Sequence, residues 1–264
     1  MTRPIRKLYV GAPERQVHVR LVEGSEPTLV LLHQTASSSQ CFEPLMRALT
    51  LPNRLIAIDL PGFGGSDEIE GWPALAAYRD CIVATLDQLG AGPIVVLGHH
   101  TGASLAIELA VACQDRVEAI ILVGPVLMSQ QERDDFLVSH GEPLTPDREG
   151  SHLLVNWQYA AGYNYDCPTE LLHQEVVAML RAWRGRAQAY RAVAGQDTAA
   201  LAQRVVARVL LITSPDDYFH ATLDRAIAAF PAAEVASVGG GNFQPTLDPV
   251  GIAGAVESFL ARRG

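Results

Sequence analysis

Ile94-Val-Val-Leu97, Gly98-His99-His100-Thr101-Gly102 and Ala103 through Cys113 follow one another without a break, and this stretch decides the fold. Ile94–Leu97 is apolar at every position, which suits a strand covered on both faces. Ala103–Cys113 carries apolar residues at helical spacing. Between them stands a G-x-X-x-G turn. Its two glycines let the chain reverse so sharply that the central residue, His100, projects above the end of the sheet. Such a glycine pair is weak alone. Its place between a buried strand and a helix makes it strong.

The same alternation extends outward. Thr28–Leu32, Leu55–Ile58, Ala119–Val123 and Val209–Ile212 are further apolar runs of strand length, and Lys7–Gly11 and Val17–Val22 read as two strands around a turn at Gly11-Ala-Pro13. Leu75–Leu89 and Ile252–Leu260 have helical spacing. Strand alternating with helix predicts an α/β fold with a doubly wound, mostly parallel sheet. One interval breaks the rhythm. Between Val123 and Val209 no convincing strand occurs, where a plain connection needs only a few residues. This segment opens on a polar stretch, Ser129–Gly150, holding Pro143 and Pro146, and then turns helical and aromatic with Trp157, Tyr159, Tyr163, Tyr165, Trp183 and Tyr190. It is predicted to be a helical cap at 126–204 inserted into a core at 1–125 and 205–264.

Composition narrows the function classes. A chain of 264 residues, 48% hydrophobic and 19% charged, can bury a substantial core and is too apolar for disorder. Its net charge of −9 gives no electrostatic reason to bind nucleic acid or an anionic membrane. The basic Arg3–Lys7 segment is followed by no apolar run, so a secretory signal is not expected, and no apolar stretch reaches the roughly 18 residues of a membrane span. Cys41, Cys81, Cys113 and Cys167 are scattered, which favours free thiols in a reducing cytoplasm over disulfides or zinc. Cys81 and Cys113 read as small core residues on helices.

In a sheet of this kind, ligands bind beyond the carboxyl ends of the strands. The residues there are His33-Gln34-Thr35 after the Thr28 run, Asp59-Leu-Pro61-Gly62-Phe63-Gly64-Gly65-Ser66 after the Leu55 run, the His100 turn, Ser214-Pro-Asp216-Asp217 after the Val209 run, and Gly239-Gly-Gly-Asn242-Phe243. In this order, from about Leu29 to Leu260, they resemble the α/β-hydrolase superfamily. The resemblance implies a nucleophile elbow at His100, where the family carries serine, aspartate or cysteine. It implies an orienting acid at Asp217, and at Asn242 the position of the catalytic histidine. His33 and Gln34 match the oxyanion loop. There Gln34 or Thr35 would offer one backbone N–H to an oxyanion hole and Thr101 the other.

Two of the three triad positions are thus atypical. Asn242 accepts no proton at neutral pH, and no serine stands at the elbow, so ordinary acyl-enzyme chemistry is not expected. Imidazole titrates near neutrality and serves as base, acid or nucleophile. A His100–Asn242–Asp217 array is therefore expected, with Asn242 relaying orientation from Asp217 to His100. The expected reaction is hydrolysis of a small, partly apolar ester, lactone or related carbonyl compound. A lyase or cyclase using the same histidine, and an inactive ligand-binding protein, stay open as alternatives.

The remaining histidines divide by position. His99 reads as structural and His33 as a brace that also borders the substrate. His152 and Trp157 are cap candidates for the substrate pocket, although capping by Ser151 explains His152 more simply. His220 lies close enough to Asp217 to approach the pocket. His140 and His173 read as surface residues, and His18 as remote. His99 and His100, being adjacent, are expected to point apart, so no metal site is expected. Arg181, Arg184, Arg186 and Arg191 read as a solvated helix face. A cytoplasmic enzyme without cofactor is expected, with a small molecule as partner and a homodimer left open.

Overall fold

In the computed structural model, residues 3–162 and 167–262 are described. Tyr163 and Tyr165, expected among the cap aromatics, lie outside them. Eight strands form one sheet: β1 (Arg6–Ala12), β2 (Arg15–Val22), β3 (Ser25–Leu32), β4 (Asn53–Ile58), β5 (Ile94–His99), β6 (Val117–Val123), β7 (Arg208–Thr213) and β8 (Glu234–Ser237). The order across the sheet is β1-β2-β4-β3-β5-β6-β7-β8. The β1–β2 and β2–β4 contacts are antiparallel, and the other contacts are parallel. This is the doubly wound α/β architecture that the alternation predicts. β8, which the apolar runs do not predict, is a four-residue strand with half-exposed side chains, too short and too polar to register as such a run.

The continuous apolar runs have a simple cause. Val30, Leu32, Ile56, Ile58 and Val96 point into one core cluster, while Leu29, Leu31, Leu55, Ala57, Val95 and Leu97 point into a second on the opposite face. The first face is covered by α2 (Leu75–Gln88) and α3 (Thr101–Ala112), the second by α1 (Glu43–Ala48) and a C-terminal helix. Each fully buried leucine or isoleucine contributes about 1.5–3 kcal/mol, so neither face can be stripped cheaply.

Among the described residues, five helices are inserted between β6 and β7: α4 (Gln130–His140), α5 (Ser151–Gly162), α6 (Thr169–Arg181), α7 (Trp183–Ala194) and α8 (Thr198–Ala202). After β7 come α9 (Leu223–Ala229), α10 (Gln244–Leu247) and α11 (Pro249–Ala261), the last being the C-terminal helix named above. Leu172, Val176 and Met179 of α6 join the same cluster as α2 and α3, so the insert packs on the first face. Helix α4 starts inside the polar stretch taken as the opening of the insert. None of its residues is buried, so apolar spacing could not reveal it. A capping box does: Ser129 Oγ accepts from Glu132 N–H, and Glu132 Oε2 accepts from Ser129 N–H at 2.7 Å.

The cysteines also differ from expectation. Cys41 is the buried one, whereas Cys81 and Cys113 are half-buried. No helix among the described residues is long and apolar enough to cross a membrane.

Candidate active site

His100 sits where β5 turns into α3, at φ 47°, ψ −106°. It is the only non-glycine with positive φ among the described residues, and such a backbone costs of order 1–3 kcal/mol. The elbow glycines make the turn possible. A Cβ on Gly98 would lie 2.0 Å from Gly102 O, and one on Gly102 would lie 2.0 Å from Leu32 O. Strand and helix touch backbone to backbone here. His100 N–H donates to Val123 O at 2.9 Å, which ties the elbow to the end of β6.

The imidazole of His100 meets the carboxylate of Asp217 directly. Nε2 lies 2.7 Å from Oδ2, with both side chains buried. Asp217 also takes Gln244 Nε2–H on Oδ2 at 2.8 Å and Phe219 N–H on Oδ1 at 2.6 Å. Burial opposes ionisation of this carboxyl. The adjoining His100 and the Gln244 donor outweigh it and hold its pKa at about 2. An ionised carboxylate has no proton to give, so Nε2 carries the hydrogen of this bond. Nδ1 is then the basic nitrogen, and His100 and Asp217 form a dyad.

Gly124, the first residue after β6, is what lets the dyad close. A Cβ there would stand 2.4 Å from His100 Cδ2, 2.5 Å from Nε2 and 3.0 Å from Asp217 Oδ2.

The expected relay through Asn242 is not built. An imidazole is longer than a hydroxymethyl group and spans the gap to Asp217 alone. Asn242 instead accepts the Tyr218 N–H on Oδ1 at 3.0 Å, steadying the loop that carries Asp217.

His100 opens onto a cavity of about 100 Å³. Gln34, Thr35 and Thr101 line it, as does Asn242. The Thr35 and Thr101 hydroxyls share a hydrogen bond of 2.8 Å, which locks the loop after β3 to the elbow. Thr101 opens α3, so its N–H has no carbonyl within the helix to bond and lies at the positive end of the helix dipole.

Three other expected substrate-site residues do not line this cavity. His33 is fully buried; its Nδ1 faces Gln34 O at 2.7 Å and its Nε2 accepts Leu60 N–H at 2.9 Å, so both nitrogens are used in bracing the loop. His152 is held by Asp147 at 3.0 Å at the start of α5, and Trp157 packs against the core cluster. His220 is likewise taken up by Thr213 Oγ1 at 2.9 Å.

The cavity also has residues that sequence reasoning missed. His140, expected at the surface, stacks on Phe136 with ring centroids 4.6 Å apart and lines the cavity beside Tyr159 and Tyr190. Burial lowers its pKa. Glu175 of α6 is 2% exposed and also lines the cavity. Burial raises its pKa to about 7, against the Ser37 hydroxyl that donates to Oε1 at 3.1 Å. Two glutamates in the α6 segment look alike in sequence. Only the apolar spacing Leu171, Leu172, Val176, Met179 puts Glu175 on the buried face.

His99 and His100 do not point apart. Their rings pack with centroids 4.3 Å apart, because the elbow folds the chain back on itself. Together with Asp217 they offer ligand atoms within 4.8 Å of one another. The His100–Asp217 hydrogen bond already uses two of those atoms, and burial keeps His99 neutral. The arginines of the insert do not line the cavity: Arg186 bonds Asn156 Oδ1 at 2.8 Å and stands over Tyr159 within the cap, while Arg181, Arg184 and Arg191 reach across to the core, at Ser66 O and Glu68, at Glu68, and over Trp72.

The family model described as "Alpha/beta hydrolase family" matches residues 29–252. The chain belongs to this family. Among curated relatives, 2-(acetamidomethylene)succinate hydrolase of Mesorhizobium japonicum is 29% identical over 140 residues, covering 52% of this chain and 50% of that protein. Lipase LipV of Mycobacterium tuberculosis is 35% identical over 113 residues, 42% of each. The chain spans about half the length of the curated relatives it matches. Solved structures match over nearly the whole length. E-2-(acetamidomethylene)succinate hydrolase superposes with a TM-score of 0.79 at 22% identity, covering 98% of this chain and 100% of that one. The enol-lactonase from Burkholderia xenovorans gives 0.78 at 18%, covering 97% and 100%. These identities speak for the fold of this alpha/beta hydrolase.

Proposed function

We propose that this α/β hydrolase hydrolyses a small, partly apolar ester, lactone or related carbonyl compound with a His100–Asp217 dyad as general base, without a serine nucleophile. The observation that carries this reading is the 2.7 Å bond between His100 Nε2 and Asp217 Oδ2 at the wall of the cavity. The carboxylate fixes the tautomer, so Nδ1 holds a lone pair. Water attacks the carbonyl carbon while Nδ1 takes its proton, and Asp217 stabilises the imidazolium. The oxyanion that forms is offered the N–H of Thr101 and of Gln34 or Thr35. Asn242 acts as a positioning residue through Tyr218. The apolar lining, including Val126, Met179, Phe219 and Phe243, favours an uncharged acyl group.

The test is turnover of a panel of short-chain esters and lactones by the wild type and His100→Ala, run in ¹⁸O-labelled water. Loss of turnover by about 10²-fold or more in the variant is expected, as for removal of a general base. One ¹⁸O atom should enter the acid product. Full turnover by His100→Ala would sink the reading, and products free of ¹⁸O would transfer the dyad to lyase or cyclase chemistry.

A further inference from the structure

Glu175 is buried, borders the cavity, and has no part in the dyad's chemistry. It reaches the cavity from the cap, whereas His100, Asp217 and the oxyanion loop belong to the sheet side. Ser37 Oγ–H donates to Oε1 at 3.1 Å. Ser37 stands two residues beyond Thr35, so the carboxyl is fixed against the loop offered to the oxyanion. No arginine, lysine or protonated group pairs with Glu175 among the described residues. The titratable groups near it are the thiols of Cys41 and Cys167, which carry no positive charge, and across the cavity the rings of His100 and His140 and the phenols of Tyr159, Tyr190 and Tyr218. A carboxyl buried without a cation is stable when protonated. Oε1 accepts from Ser37, so the proton belongs on Oε2.

We propose that Glu175 is the general acid of this site, giving its Oε2 proton to the leaving oxygen of the substrate. The proposal rests on the hydrolytic reading above. Water gives hydroxide to the acyl carbon and its proton to His100 Nδ1. The acyl–oxygen bond then breaks, and its electron pair takes the proton from Glu175. Transfer of the proton from the imidazolium to the Glu175 carboxylate through solvent restores both groups. The net reaction is ester plus water to acid plus alcohol. A carboxyl that titrates at about 7 suits this role near neutral pH. The preferred substrates are then those with a poor leaving group, such as alkyl esters.

Two measurements on wild type and Glu175→Gln test it. The first compares hydrolysis of methyl butyrate, whose leaving group needs a proton, with 4-nitrophenyl butyrate, whose leaving group does not. The methyl ester should lose at least about 30-fold more activity than the nitrophenyl ester, within the range of general-acid effects. Equal losses on both esters overturn the general-acid role and leave the hydrolytic reading standing. Turnover of neither ester by the wild type sinks the hydrolytic reading instead, and the second measurement then decides the donor role of Glu175. That measurement is butyrate binding by calorimetry from about pH 5 to 9. Wild-type affinity should fall as pH rises through about 7, where Oε2 loses its proton, and Glu175→Gln, a permanent N–H donor, should not follow it. The same fall in both proteins assigns it to a group other than Glu175 and overturns the proposal. Absence of butyrate binding by the wild type overturns it too, since the site must accept an oxyanion.

Discussion

The two walls of the cavity each bury one carboxyl, and they treat it in opposite ways. On the sheet side, Asp217 accepts His100, Gln244 and Phe219 N–H groups and stays ionised at about 2. On the cap side, Glu175 has one hydroxyl for company and is pushed up to about 7. Residue type does not separate them; the number and charge of their donors does. In the proposed reaction one carboxyl orients the base and the other supplies a proton.

The largest expected effect comes from erasing the charge on the sheet side. Asp217→Asn keeps the size of the side chain but can present its amide carbonyl or NH₂ to His100, releasing the tautomer. Turnover on short esters should fall by about 10³–10⁴-fold, the scale seen when a triad carboxylate is neutralised, read as kcat at pH 7. The second effect separates geometry from charge. Gly124→Ala leaves both dyad residues intact but places a methyl 2.4 Å from the His100 ring, on a backbone with φ 56°. It should cost about 1–3 kcal/mol in urea unfolding and at least tenfold in kcat. A Gly124→Ala protein with wild-type kinetics would mean that the dyad distance is unimportant.

The third effect concerns the cap carboxyl and is confined to stability. Its folded pKa stands above its ordinary value of 4.5, so its contribution is fully present below pH 4.5 and lost as pH rises through about 7. The wild type should therefore lose up to about 3 kcal/mol relative to Glu175→Gln between pH 4.5 and about 8, in the sense of 1.36 kcal/mol per unit. Urea melts of both proteins at the two pH values check this. Parallel curves would show that Glu175 is not strained by burial, and the contrast between the two walls would fail.

The sheet was legible in the sequence because its strands are buried on both faces, and a short segment apolar at every position fits little but a strand between two layers. The elbow was legible for a related reason: a Cβ on Gly98 or Gly102 would stand 2.0 Å from a backbone oxygen, so only glycine fits at either position. The direct His100–Asp217 bond was not, since it depends on how far an imidazole reaches from a turn. Gly124 marks that contact in the sequence, as a lone glycine ending a β-run, but nothing local says which ring lies over it. The cap was legible as helical and aromatic, and less so as a wall. His140 belongs to a helix with no buried face, and Glu175 shares its helix with Glu170, an exposed acid of similar appearance. His33 and His152 misled for the converse reason. Both stand where the sequence points to a pocket, but His33 spends both ring nitrogens on neighbouring backbone and His152 spends its Nδ1 on Asp147.

Gly124 has a consequence for the order in which such a site can be assembled or taken apart. A serine side chain at position 100 would end well short of the space above residue 124, so a methyl there would meet no ring, and only the strain of φ 56° and the 3.0 Å approach to Asp217 Oδ2 would remain. A histidine at 100 is compatible with glycine alone. The ring at 100 and a side chain at 124 therefore exclude one another, so the two positions can only change together.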